Sequence, residues 1–517
     1  MNTTAVTIFV ALFALVTVLG FVAARWRRGN LNELHEWGLG GRRFGTIVTW
    51  FLLGGDLYTA YTFIAVPAVL FGAGAQGFFA VPYTILVYPI VYAIYPRLWS
   101  VAQAKGYVTA ADFVRGRFGN HALALAVAVT GIVATMPYIA LQLVGMEVAI
   151  AGLGISMDTT FPGIGTIHGF PLLVAFVVLA LYTYNSGLRA PALIALVKDA
   201  LLYILVIAAV IIIPIELGGW GKIFAAADPK TLLLAAPTAE SLGPQAAYAT
   251  LALGSTLALF LYPHAVTGLL SSSSRHVVRR NAVILPAYSF ALGLIALLGT
   301  MAVAAGVKSM PQFAEGFKAF GNQYAVPALI VHSFPSWFVG VAFAAIAIGA
   351  LVPAAIMSIA CANLFTRNIW KEYVNPAVSG KGEAQVAKIV SLVVKAGALF
   401  FIIELPTTYA IQLQLLGGIL IIQTLPSVIF GLYTNRLHPW ALLIGWGAGI
   451  GAGTWMAAAN AFKASIYPIT LFGYTIPCYA AVSSLILNII VTVVLSWAFN
   501  ALLRTPPSDQ TVEADYI

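Results

Sequence analysis

An all-α polytopic membrane protein with about 13 spanning helices is the fold class this sequence predicts, and three observations predict it. Hydrophobic residues make up 61% of the 517 and charged residues only 8%, against about a quarter charged in soluble domains; mean hydropathy is +0.94. Apolar runs long enough to span a bilayer recur about thirteen times. Lys and Arg fall unequally on alternate connecting loops, as the positive-inside rule requires.

In order, the runs are 4–24, 45–71, 77–98, 121–152, 170–187, 190–215, 246–270, 282–307, 336–365, 387–404, 409–433, 439–460 and 474–503. The first has no Lys or Arg before it, while Arg25, Arg27 and Arg28 follow it. A cleaved signal peptide has the opposite polarity, so this run reads as a retained helix with its N-terminus outside. Alternate loops then place nineteen of the 26 Lys and Arg residues inside, Arg504 among them, and five outside, which leaves Lys198 and Lys395 within membrane segments. The C-terminus is therefore expected inside. Orientation accounts for the net charge of +9, which is not clustered as a nucleic-acid face would be. Cys361 and Cys478 lie in apolar runs and suggest neither a disulfide framework nor a metal site. The outside loops 216–245 and 308–336 are rich in Gly, Pro and Ala and are candidates for short amphipathic helices. The charged tail after Arg504 is expected to be disordered.

The second run carries chemistry. Trp50 to Pro67 reads WFLLGGDLYTAYTFIAVP, a membrane segment holding a Gly54-Gly55 pair, the carboxylate of Asp56 and hydroxyls at Tyr58, Thr59, Tyr61 and Thr62. In hydrocarbon, broken backbone persists only where it lines a protein-enclosed or watery site, so an interrupted helix with an ion or solute at the break is expected here. The seventh run has a counterpart: Gly254, Ser255 and Thr256, then Tyr262, Pro263 and His264. Two five-helix units of opposite orientation, 45–215 and 246–433, each opening on a polar interrupted helix, predict a five-plus-five inverted-repeat core with the site between the breaks. The plainer alternative is that these glycines and prolines serve helix packing alone. Around the core lie a first helix and basic loop (1–44), the outside loop 216–245, two additional helices (434–503) and the tail 504–517.

Several motifs resemble the solute:sodium symporters, a family that shares this inverted-repeat fold. They are Gly41-Arg42-Arg43-Phe44-Gly45 before the break, Thr59 to Pro67 within it, Gly106-Tyr107-Val108-Thr109-Ala110-Ala111-Asp112-Phe113 in the next inside loop, Tyr262-Pro263-His264, and Phe365-Thr366-Arg367-Asn368-Ile369. They run in the family's order from about 41 to 370. Within the family, GGDLYTAYTFIAVP, GLRAPALIALVKDALLY and ALVPAAIMSIACANLFTRNIW resemble bacterial monocarboxylate permeases, which carry lactate, pyruvate and similar small acids. The resemblance implies a multi-pass protein of the bacterial inner membrane that imports a small organic anion, with no cofactor, no nucleic acid and no obligate protein partner.

It also implies where a coupling cation would sit. Family sodium sites use carbonyls of the first broken helix, falling here on Gly55 and Tyr58, with a carbonyl and two hydroxyls from the ninth span. A hard cation needs about five or six oxygens to replace its water. An ungapped match puts Gly349 at the carbonyl position but Val352-Pro353 where the hydroxyls belong; only a gapped match on Ala354 to Ser358 restores one. In the sixth span the family has a hydroxyl residue before Asp, whereas this chain has Lys198-Asp199. A lysine deep in a spanning helix is costly unless paired or solvated. An ammonium in the vacated cation position would couple transport to protons; alternatively Lys198 merely pairs with Asp199 or snorkels. Proton coupling is the expectation, with sodium coupling of another small solute such as an amino acid, sugar or vitamin as the alternative.

For a small carboxylate, the half-helix starting near Thr59 offers amide groups. Tyr138 and Gln142, four apart, share a helical face. Thr59, Tyr61, Thr62, Tyr138, Gln142, Tyr262 and His264 are the solute-site candidates, each with the bland alternative of bonding neighbouring helices. Asp56 is expected to avoid an anionic solute and to stay protonated, carry the proton or pair with Lys198. No paired acids, metal spacing or phosphate loop suggests an enzyme, no attached domain suggests a receptor, and saturable counterflow would separate a carrier from a channel.

Overall fold

The computed structural model describes residues 2–27, 29–161, 165–404, 410–502 and 508–517. Arg28 and Arg504, counted above among the inside charges, lie outside them. The first run forms α1 (Thr3–Val22), and the basic stretch after it carries α2 (Leu34–Leu39). The second run is α3 (Thr46–Gly55), a π-helical turn at Tyr61–Ala65 and α4 (Val66–Ala73). There follow α5 (Ala80–Lys105), α6 (Ala110–Phe118), α7 (His121–Gly152), α8 (Phe170–Ser186) and α9 (Arg189–Glu216). The expected loop helices are present as α10 (Trp220–Ala226) and α11 (Pro229–Leu232). The seventh and eighth runs become α12 (Gly243–Leu259), α13 (Pro263–Leu270), α14 (Arg275–Ile284), α15 (Pro286–Ala296) and α16 (Leu298–Ala304). Then come α17 (Ala314–Phe320) and α18 (Ala325–Ser333) in the second long loop, α19 (Ser336–Phe365), α20 (Gly380–Glu404), α21 (Ala410–Ile421), α22 (Leu425–Val428), α23 (Pro439–Ala459) and α24 (Ala480–Leu502).

Among the described residues nine helices are long and apolar enough to cross a membrane, or ten if the bent α12–α13 pair is one span. Three of the thirteen runs fall outside these ten: α3 and α8 are shorter than a full span, and α20 is not among them. The segment after the first break counts as one span with α5 by length and composition. The fold also departs from all-α. Two antiparallel hairpins, β1 (Asp158–Phe161) with β2 (Gly165–His168) and β3 (Ile466–Leu471) with β4 (Tyr474–Tyr479), occupy connections read as loop or as the start of the last span. β4 is rich in the β-branched and aromatic residues that favour strands, so its apolar character was mistaken for helix.

Both helices are broken, the second at the Tyr262-Pro263-His264 end of its polar stretch. Gly254, Ser255 and Thr256 lie inside α12, and the 47° bend falls at Phe260–Tyr262, where Pro263 cannot donate to the preceding turn. The two broken helices meet at one end of the bundle: Phe44 N–H donates to Ser271 O at 3.2 Å and Ser273 N–H donates to Phe44 O at 2.8 Å. That end carries Arg42, Arg97, Lys105, Arg117, Arg189 and Arg367 and is the basic face. α19 passes behind the breaks and is almost wholly buried.

On the basic face two motifs far apart in sequence converge. Thr109 and Asp112 form the capping box of α6, Asn368 Nδ2 donates to Asp112 Oδ1 at 2.7 Å, and Thr109 Oγ1 donates to Asn368 Oδ1 at 2.8 Å. Arg367 lies 3.6 Å from Asp112 and 3.0 Å from Glu383. Arg42 donates to the carbonyls of Ala102 and Tyr107; burial pulls its guanidinium down to about 10, against the pull of Asp112, so it stays charged at neutral pH.

The expected disorder of the tail is overturned. Residues 508–517 fold back onto α5 and α6, and Tyr516 is 7% exposed. An aromatic ring and alternating charges on the tail meet arginines already spaced along α5 and α6, which composition alone does not reveal.

α7 approaches the first break through a glycine: a Cβ on Gly145 would lie 2.1 Å from Ala60 Cβ, whereas one on Gly447 in α23 meets nothing within 4 Å. Gly145→Ala should therefore lower stability by about 1–3 kcal/mol through overpacking. Gly447→Ala should be neutral or gain up to about 1 kcal/mol. Thermal unfolding in detergent measures both, and equal melting shifts would contradict this packing.

Candidate functional site

The first break begins where α3 runs out at Asp56. Leu57 N–H and Tyr58 N–H both turn back to Gly54 O, at 2.9 and 3.2 Å, which leaves the carbonyls beyond Gly54 outside the helical ladder. Neither Gly54 nor Gly55 has a positive φ, so the pair is not there for turn geometry. Close approach explains it: a Cβ on Gly54 would lie 2.6 Å from the Tyr288 ring, and one on Gly55 2.8 Å from Lys198 Nζ.

Lys198 comes from α9, two turns in from the basic face, and is fully buried. Its ammonium donates to the carbonyls of Gly55 and Tyr58, the latter at 3.2 Å, and pairs with Asp199 Oδ1 at 2.9 Å. Asp199 in turn accepts a hydrogen bond from the Tyr288 hydroxyl, and Tyr58 Oη donates to Tyr288 O at 2.6 Å. The two readings of Lys198, in the cation position or paired with Asp199, are thus geometrically one arrangement. Two carbonyls and a carboxylate supply what a buried ammonium needs to offset its desolvation. Val352 is fully buried and brings no oxygen, but Pro353 has no N–H for the Gly349 carbonyl four residues back, and Gly349 packs beside Tyr58 O. Sequence reasoning missed Tyr288. Its only signal was a hydroxyl in an apolar run, and which residue it serves depends on α15 packing against α9.

Asp56 does not form an ion pair with Lys198. It faces His264 across the two breaks, Oδ2 to Nε2 at 3.4 Å. His264 packs its ring against Tyr138 and Tyr262, both at 5.3 Å, and Tyr138 stacks edge-on to Tyr262 at 5.5 Å. These four side chains are all buried. Tyr262 Oη donates to Gln414 O at 3.0 Å, a contact to a neighbouring helix as the plainer reading allows.

The half-helix amides expected to be open are capped. Thr59 N–H donates to Thr62 Oγ1 at 2.9 Å, Ala60 N–H to Gln142 Oε1 at 3.2 Å and Tyr61 N–H to Thr59 Oγ1 at 3.0 Å. Thr and Gln side chains so close to a helix start compete for its free N–H groups, as N-caps do. The structure therefore brings Thr59, Tyr61, Thr62, Tyr138, Gln142, Tyr262 and His264 around the two breaks, with Gly55, Asp56, Tyr58, Lys198, Asp199 and Gly349 along one side of the first. Lys395, the other membrane lysine, lies apart in α20, where it donates to Ser391 Oγ at 2.7 Å. Among the described residues no cluster of His, Cys, Asp and Glu could hold a metal.

A model of the sodium:solute symporter family matches residues 37–448. The chain belongs to this family. It is 54% identical over 505 residues to a monocarboxylate transport permease protein of Rhizobium johnstonii, covering 97% of each chain. It is 35% identical over 457 residues to the uncharacterized symporter YodF of Bacillus subtilis, covering 87% of each. A sodium/proline symporter of Staphylococcus aureus aligns at 24% over 212 residues, 40% of this chain and 39% of that one. The fold matches the substrate-bound outward-open state of a Na+-coupled sialic acid symporter with a TM-score of 0.71 at 15% identity, over 96% of this chain and 98% of that one. The protein is thus a multi-pass solute symporter and not an enzyme.

The geometry of Lys198 sets an order of stabilities. Asp199→Asn strips the ammonium of its counter-charge and should cost about 3–5 kcal/mol. Tyr288→Phe removes one hydrogen bond to a charged group, about 1.5–3 kcal/mol. The double variant Lys198→Met/Asp199→Asn should recover most of the first loss. Melting curves in detergent test this, and a double variant no more stable than Asp199→Asn would contradict the pairing.

Proposed function

We propose that this symporter imports a small monocarboxylate such as lactate or pyruvate by alternating access, coupled to protons through Lys198. The observation that carries the coupling is the Lys198 ammonium against the carbonyls of Gly55 and Tyr58. These are the oxygens that the family resemblance assigns to a bound cation, and Val352 and Pro353 replace the hydroxyls that would complete its shell. A tethered ammonium gives the freed carbonyls what a sodium ion would give: positive charge without an extended helix. Protonated, Lys198 spans the break and neutralises Asp199; deprotonated, it loses both roles, so proton occupancy takes the part of ion occupancy. Asp199, held by Tyr288, is the neighbour through which the proton is exchanged.

The monocarboxylate reading is supported by the name of the 54% identical relative. The solute's carboxylate is assigned to His264 and Tyr138, with Tyr61, Tyr262 and Gln142 around it and the caps of Thr59 and Thr62 free to rotate toward it. Asp56 lies 3.4 Å from His264 and would repel an anion unless protonated or paired. A second reading is sodium-coupled symport of another solute. It is favoured by the family description, by the Na+-coupled structural neighbour and by the Gly349 carbonyl, a further oxygen beside the break.

The finer architecture belongs to the same proposal: about thirteen spans in a five-plus-five core, with repeats at 45–215 and 246–433. The N-terminus lies outside and the C-terminus inside the bacterial inner membrane, with no cofactor and no obligate protein partner.

In proteoliposomes, an inward proton gradient without sodium should drive accumulation of labelled pyruvate. Lys198→Ala should abolish accumulation by at least about tenfold, a loss of 1.4 kcal/mol or more in coupling, while sparing exchange. Sodium-driven accumulation that survives proton uncoupling would overturn the proton reading, and uptake of another solute class alone would overturn the substrate reading.

A further inference from the structure

Beside the second break, on the side of the basic face, lies a small cavity. Pro263 and Thr267 of α13, Gly131 of α7 and Ala360 of α19 line it, and its far end is bounded by Thr109 and Ala110, where α6 begins. The start of α6 therefore stands between the second break and that face. The tail holds α6. Gln510 N–H donates to Gly116 O at 2.8 Å, Asp509 pairs with Arg117, and Arg117 Nη1 also donates to Thr511 Oγ1 at 3.3 Å. The Tyr516 ring lies under the guanidinium of Arg97 at 4.7 Å and of Arg117 at 5.8 Å, edge-on to Phe113 at 6.5 Å. Lys105 pairs with Asp515 at 3.1 Å, and Thr511 and Tyr516 share a hydrogen bond of 2.8 Å.

The same two arginines reach past the tail. Arg97 Nε donates to Leu432 O at 2.7 Å and Arg117 Nε to Gly431 O at 2.9 Å, so they staple α5 and α6 to the end of the segment that follows α22. Tyr516, between two guanidiniums, holds both in that pose. Alternating access moves one group of helices against the other, and opening toward the basic face requires α6 to part from the segment at 431–432. The tail is bound where that parting begins.

We propose that residues 508–517 are an intramolecular latch: docked on α6 they hold the route toward the basic face closed, and their release lets it open. The proposal rests on the symporter reading but on neither the solute nor the coupling ion, so its test uses neither. In the full-length protein with Cys361 and Cys478 replaced by Ala, Thr267→Cys places a thiol on the route. A membrane-impermeant maleimide is applied from the basic face. Tyr516→Ala with Asp509→Ala, and separately deletion of 508–517, should each raise the labelling rate about fivefold or more, while Tyr516→Phe, which keeps the ring between the arginines, should label like the parent. Unchanged or slower labelling in the deletion variant, with its melting temperature retained, would overturn the latch. If the deletion fails to fold, the point variants decide by the same two outcomes, with hydrogen exchange at 508–517 reporting release. A failure of pyruvate uptake would leave this result standing, since labelling does not depend on transport of any named solute.

Discussion

One buried positive charge organises the centre of this protein. The Lys198 ammonium is fully buried, and the structure sets two backbone carbonyls and one carboxylate around it. The carbonyls exist only because α3 stops at Gly55; a continuous helix would have used them in its own ladder. The break therefore needs a cation, and the cation needs the break. Gly54 and Gly55 admit Tyr288 and Lys198 to contact distance, and Tyr288 holds the far oxygen of Asp199. Four helices, α3, α9, α15 and α19, are placed by these demands.

The proposed solute side is built on the same break. Beyond Tyr58 the chain restarts as a helix, and its first free amides take caps from Thr59, Thr62 and Gln142. The second break, 47° at Phe260–Tyr262, brings His264 opposite Asp56 and sets Tyr138 and Tyr262 against it. On the proposed function, the ion and solute sites share this one interrupted segment. On the basic face, the Thr109–Asp112–Asn368 cluster and the docked tail both hold α6.

Much of this was legible in the sequence where a residue violated the rules of its surroundings. A glycine pair and an acid in hydrocarbon announced the first break, and a lysine within a spanning run announced its partner. Less was legible where the residues were ordinary. Gly254, Ser255 and Thr256 suit a helix interior, and of the seventh run's two polar groups only Tyr262-Pro263-His264 marks the bend, which Pro263 sets. Tyr288 is one of 22 tyrosines, and only the packing of α15 against α9 gives it Asp199. The strand β4 hid inside an apolar run, and the tail's contacts depend on where α5 and α6 place Arg97 and Arg117. Capping of the half-helix was missed because Thr59 and Thr62 read equally well as solute ligands.

The central claim, that the charge opposite the break is a proton carried by Lys198, is tested most directly by letting the solute drive the proton. Vesicles containing the purified protein and a trapped pH indicator, in sodium-free buffer with no imposed ion gradient, are given external pyruvate. The account predicts internal acidification with the wild type and none with Lys198→Ala. Pyruvate entry without acidification, or entry that begins only when sodium is added, would contradict it.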